Sequence, residues 1–158
     1  MLKRIKNSIS NIRRNEDEDE ARRRAQCRAN AQRAIDAAQQ KIEAAQQKIE
    51  ECQTQIDNFT AKRDEIADKR GQAQSLMIDC ASTYSEVYNC VPGMPINNRD
   101  IIKENFNCLQ KYSEACVAAE QTCTSKINEY QTKKAEAQQE KQVAMNEKRI
   151  AQQEKQQC

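Results

Sequence analysis

The segment Cys80–Cys116, CASTYSEVYNCVPGMPINNRDIIKENFNCLQKYSEAC, decides the fold. It holds both prolines, one of the two glycines and four of the eight cysteines of a 158-residue chain. Pro92-Gly93 and Pro95 read as turn punctuation, because the residue before a proline is pushed out of helical torsions. Asn97, Asn98 and Asp100 then offer caps for a following helix. On both sides the chain is rich in Ala, Gln, Glu, Lys and Arg, all strong helix formers. A short connection between two helices favours antiparallel neighbours.

Composition narrows the class further. Aromatic residues make up 4% of the chain and charged residues 32%, with 20 Ala and 20 Gln. So few large apolar side chains cannot build a wide core, which leaves disorder or helices joined along a narrow seam. Disordered chains carry many Pro and Gly, and this one has two of each, so helix is the expected state. The net charge of +2 selects no partner. No apolar run is long enough to span a bilayer, and the N-terminus lacks a secretory h-region.

The stretch 31–70 carries the clearest periodicity. AAQQKIE occurs at 37–43 and again at 44–50. Ile35, Ile42, Ile49 and Ile56 recur every seven residues, and Ala31, Ala38, Ala45, Cys52, Phe59 and Ile66 recur between them. This is a heptad with Ile at position a and mostly Ala at d, flanked by Lys41 and Lys48 at g and by Gln39, Gln46 and Gln53 at e. Small residues at d let a partner helix approach closely. Gly71 is a weak point that marks a candidate bend, about 1 kcal/mol worse than Ala in a helix. A first helix over 17–90 spans roughly 110 Å and a second over 99–157 roughly 90 Å at 1.5 Å per residue. The second arm carries Ala137, Ala144 and Ala151, again every seven residues.

The expected architecture is all-α: an antiparallel two-helix coiled-coil hairpin whose tip is stapled by disulfides, preceded by a short amphipathic helix. The divisions are 1–15 for the basic N-terminal segment, 16–90 for the first helix, 91–99 for the turn and 100–158 for the second helix. In the N-terminal segment Leu2, Ile5, Ile9 and Ile12 share one helical face opposite a wholly basic one. That face suits a membrane surface or a neighbouring subunit. In EDEDEARRR, residues 16–24, Glu18, Asp19 and Glu20 each stand four before an arginine, the favoured polarity for helical ion pairs.

Folding the chain about a centre near residue 98 or 99 sets Cys90 against Cys108 and Cys80 against Cys116. Each such bridge contributes roughly 3–4 kcal/mol in the chain-entropy picture. Cys123, one heptad beyond Cys116, is an alternative partner for Cys80. Cys27, Cys52 and Cys158 have no cysteine opposite in that registry, so they are expected to be free or to bond between chains. Cys52 and Cys123 also suit the seam as small apolar residues. Cys80-x9-Cys90 resembles one half of the twin CX9C helical hairpins of the mitochondrial intermembrane space. That resemblance covers about 40 residues and implies a hairpin with two ladder disulfides. The second helix departs from the pattern, offering Cys108-x7-Cys116 and Cys116-x6-Cys123.

Several chemistries lack their residues. There is no histidine, hence no usual general base or commonest metal ligand. There is no CxxC pair for zinc and no glycine-rich phosphate loop. No catalytic, metal or cofactor residues are expected, and no nucleic-acid binding. The expected function is a non-enzymatic structural or assembly protein bridging subunits of a larger complex. A virion, as a minor capsid or cement protein, or an organellar assembly would supply disulfides without a secretory signal. The alternatives are a CX9C-like accessory subunit or assembly factor of the mitochondrial intermembrane space, and a thiol redox or metal-handling protein. Expected partners are other protein subunits, reached through the open end of the hairpin and the N-terminal helix. Homo-oligomers and a membrane surface are further candidates.

Overall fold

The structure is a computed structural model of the whole chain. It describes the backbone of residues 2–90 and 96–158 and the side chains of 16–82 and 100–158. Helix α1 runs Leu2–Cys90 and helix α2 runs Ile96–Gln157, and no strand occurs among the described residues. The two helices pack against each other as a helical hairpin. The sequence that the composition marks as helix-forming is helical, including the stretch around Gly71. A Cβ placed there would meet nothing within 4 Å, and α1 runs through it without a break. Residues 2–15 belong to α1. Helix α2 starts at Ile96, ahead of the expected caps Asn97, Asn98 and Asp100. A proline restricts the residue before it, not the one after, so a helix can begin directly behind one.

The chain divides into two compact units. The first contains Met1–Glu50 and Ala135–Cys158, and the second contains Glu51–Lys134. Each pairs a segment of α1 with an antiparallel segment of α2. In the first unit Lys41 bonds Glu147 and Lys48 bonds Glu140. In the second, Gln53 meets Lys134, Phe59 meets Tyr130 and Arg70 meets Glu120.

Those pairs define the register. The midpoint of Lys41 and Glu147, and of Lys48 and Glu140, is residue 94. The cysteine ladder requires a midpoint near 98 or 99, so the observed register lies about one heptad away. Side-chain size and charge explain the difference. The observed register stacks Phe59 on Tyr130 with ring centroids 6.0 Å apart and places Arg70 beside Glu120. A slip of one heptad would set Phe59 against Ala137, Arg63 against Lys134 and Glu120 against Met77. Those are a lost aromatic contact, two like charges and an unpaired carboxylate in the seam.

The buried residues trace a narrow seam. In the first unit it consists of Ala31, Ala38 and Ala45 with Ala137, Ala144 and Ala151, all at most 5% exposed. Ile35, Ile42 and Ile49 beside them are half-buried. In the second unit Ala73, Cys116, Cys123 and Ile127 are buried, while Ile56 is half-buried. Alanine at the facing positions leaves little depth, so the helices hold each other with small contacts repeated many times. Close approach also means that larger residues do not fit. Replacing Ala144, 2% exposed, with leucine is expected to cost about 1–3 kcal/mol by overpacking. Thermal unfolding followed by circular dichroism checks this: the midpoint falls if the seam is closed, whereas a rise would show unfilled space.

Candidate functional site

The most developed polar arrangement is a repeating three-residue relay. Lys155, Lys148 and Lys141 recur every seven residues on α2 and donate to the side-chain oxygens of Gln32, Gln39 and Gln46 on α1, at 2.6, 2.8 and 2.8 Å. Each glutamine amide then donates to a carboxylate one turn on: Gln32 to Asp36, Gln39 to Glu43 and Gln46 to Glu50, all at 2.7 Å. The second unit repeats the motif once, with Lys134 on Gln53 at 2.5 Å and Gln53 on Asp57 at 2.7 Å. The lysine needs an acceptor and the carboxylate needs a donor, so the two fix which end of each amide faces which helix.

The register places each of these lysines level with an isoleucine: Ile35, Ile42, Ile49 or Ile56. A lysine suits that place because its aliphatic stem covers apolar surface while its ammonium reaches outward. Lys134, Lys141 and Lys148 are accordingly half-buried. The periodic signal, lysine every seven residues on one arm matched by glutamine every seven on the other, is present in the sequence. Apolar periodicity alone overlooks it, since neither residue is apolar.

The opposite flank of the first unit carries direct ion pairs. Lys41 to Glu147 and Lys48 to Glu140 each span 2.8 Å. The hydrogen bond from Lys48 to Glu140, reinforced by the carboxylate's charge, raises the lysine pKa. Exposed pairs of this kind contribute roughly 0–1 kcal/mol each. Within α1, Arg24 pairs with Glu20 as the 16–24 charge pattern predicts. Within α2, Lys126 and Lys133 both bond Glu129, and these two hydrogen bonds hold its carboxyl down at about 2.

The second unit has a different chemistry at its seam. Phe59 and Tyr130 stack at an interplanar angle of 23°. Lys62 and Lys133 lie 5.7 and 5.0 Å from the centroids of these two rings. Farther along, Arg70 Nε lies 3.1 Å from Glu120 Oε1. The Glu120 side chain is only 18% exposed, and its Oε1 has the ion pair but no hydrogen bond among the described residues.

The cysteines differ from the expected staples. Cys27 and Cys158 form an intrachain disulfide in the first unit, with Cα atoms 5.8 Å apart. They are therefore neither free nor left for another chain. Cys52, Cys80, Cys108, Cys116 and Cys123 are free thiols. Cys80 does not bond Cys116 or Cys123, because the register sets Cys116 against Ala73 and Cys123 against Ile66. Cys116 and Cys123 are buried as small apolar residues, Cys52 and Cys80 are half-buried and Cys108 is exposed. The proposed Cys90–Cys108 pairing involves a side chain outside the described residues. So do the contacts expected of Leu2, Ile5, Ile9 and Ile12.

Among the described residues, no helix is long and apolar enough to cross a membrane. None of their His, Cys, Asp and Glu side chains form a group of three or more placed to hold a metal ion. Comparison with protein-family models, curated proteins and solved structures returned no match.

The ion pair in the second unit has a testable asymmetry. Arg70→Ala strands a carboxylate that is 18% exposed, whereas Glu120→Ala strands an arginine that is 33% exposed and can reach water. The first is expected to cost about 2 kcal/mol and the second about 1 kcal/mol, with the double variant costing less than their sum. Urea unfolding of the four proteins checks this; strictly additive effects would show that the two groups do not interact.

Proposed function

We propose that this chain is a non-enzymatic structural protein, an antiparallel coiled-coil hairpin that braces subunits of a larger assembly. The observation that carries this reading is the use of its polar groups. The lysines, glutamines and carboxylates at the seam are committed to one another across the two helices, in rungs that repeat every seven residues. Groups held in that way set helix spacing and register. They are not arranged around a reacting atom, and the grooves on the opposite flank of the first unit are open and lined mainly by Ala, Lys, Glu and Gln.

The Cys27–Cys158 disulfide supports the same reading. It closes a loop with a sequence separation of 131 residues, which contributes about 4–5 kcal/mol in the chain-entropy picture. A seam made largely of alanine gains most from such a covalent tie. An oxidising setting, such as a virion or an organellar complex, fits this chemistry. The twin-CX9C resemblance implies that Cys80 is bonded across the hairpin, and Cys80 is a free thiol.

Isolation of the tagged, full-length chain from its native source under non-reducing conditions tests the brace reading. The chain is expected to sediment with a particle or complex much heavier than 18.2 kDa and to cross-link to other proteins there. Incorporation is expected to survive conversion of Cys80, Cys108, Cys116 and Cys123 to serine. Sedimentation as a free chain, or loss of incorporation on removing those thiols, would overturn it.

A further inference from the structure

We propose that one face of the first unit docks a second copy of this chain, side by side and parallel. The proposal deepens the brace reading and rests on it for its biological meaning, though not for its test. The face lies on the Lys41–Glu147 flank. Its floor is small, because Ala45 and Ala144 are each 2% exposed and carry no bulk to fill the space above them. One wall is α1, which presents Lys41, Ala44 and Lys48; the other is α2, which presents Glu140, Val143 and Glu147.

Two features of these walls fit a copy of the same surface. The first is size. Val143 and Ile150 are 52% and 51% exposed and stand seven residues apart on α2, at apolar positions that the hairpin itself does not cover. The ion pairs bracket Val143 level with Ala44 on the opposite wall, since Ala44 lies between Lys41 and Lys48 and Val143 between Glu140 and Glu147. The same register sets Ile150 level with Ala37, which is exposed. Large residues thus line the α2 wall and alanines the α1 wall at matching heights.

The second feature is charge. Along this groove the α1 wall carries lysine and no acid, and the α2 wall carries glutamate and no base. A two-fold axis running along the helices brings α1 of one copy over α2 of the other. Lysine then meets glutamate, Val143 meets Ala44 and Ile150 meets Ala37, all in the same operation. A two-fold axis across the helices would instead stack lysine on lysine and glutamate on glutamate. The surface is therefore complementary to itself in the parallel arrangement alone, as an isologous interface requires.

Sedimentation equilibrium of the oxidised, full-length chain provides the test. The expected mass is twice 18.2 kDa. Val143→Arg with Ile150→Arg is expected to weaken association at least about tenfold while leaving helicity unchanged, because both side chains are exposed in the hairpin. Lys41→Glu with Lys48→Glu makes both walls acidic, and Glu140→Lys with Glu147→Lys makes both walls basic. Each charge variant is expected to be monomeric alone, and an equimolar mixture is expected to form a one-to-one dimer. That rescue separates docking from any general loss of stability. A monomeric parent chain, an oligomer indifferent to these substitutions, or a mixture that stays monomeric would overturn the proposal. A monomeric parent that still sediments with a heavy native assembly would leave the brace reading intact and assign the groove to another protein.

Discussion

The Arg70–Glu120 ion pair is the constraint on which the second unit depends, because it distinguishes one register from its neighbour. A seam that repeats every seven residues is nearly indifferent to a slip of seven. AAQQKIE occurs twice in succession on α1, and Lys, Ala and Glu recur at the same interval on α2. After such a slip the first unit would still set Ile against Lys, Ala against Ala and Lys against Glu. In the second unit the slip brings Arg63 to Lys134 and leaves Glu120 without its arginine. A half-buried polar pair is a weak source of net stability and a good source of register, since its misalignment is costly in a way that misaligned alanines are not. The first unit has its own register mark in the Cys27–Cys158 disulfide.

The polar relays suit an interface with so little apolar depth. Each half-buried lysine covers seam with its stem and spends its charge on a glutamine that is itself held by a carboxylate. The relay joins a cation on α2 to an anion on α1 through a neutral amide, so neither charge has to enter the seam. The ion pairs on the opposite flank act without an intermediary, because Lys41 and Glu147 reach one another across the alanine layer. Small residues thus bring the helices close enough for the polar groups to meet, and the polar groups supply specificity that alanine lacks.

Most of the architecture was legible in the sequence for a physical reason. Helix propensity, the scarcity of Pro and Gly, and the Ile/Ala heptad all point the same way, and two packed helices result. The register was not legible from the cysteines. Two pairs of positions fell symmetrically about one centre, but symmetry of spacing costs nothing in a chain whose features recur every seven residues. The information lay in residues that break the repeat, namely Arg63, Arg70 and Glu120 at seam positions and Phe59 with Tyr130. Once those are aligned, Cys116 falls against alanine in the second unit, and in the first unit Cys27 is bonded to Cys158. The lysine ladder is legible in the sequence only as a seven-residue interval, because polar residues at a seam read as interruptions of the apolar heptad.

The two registers predict different covalent chemistry, and this makes their comparison direct. Mass spectrometry of peptides from the oxidised, full-length chain, digested without reduction, distinguishes them in one experiment. The observed register requires a Cys27–Cys158 linked peptide within one chain, with Cys116 and Cys123 recovered as free thiols. A Cys80–Cys116 linked peptide would place the helices one heptad away and contradict it.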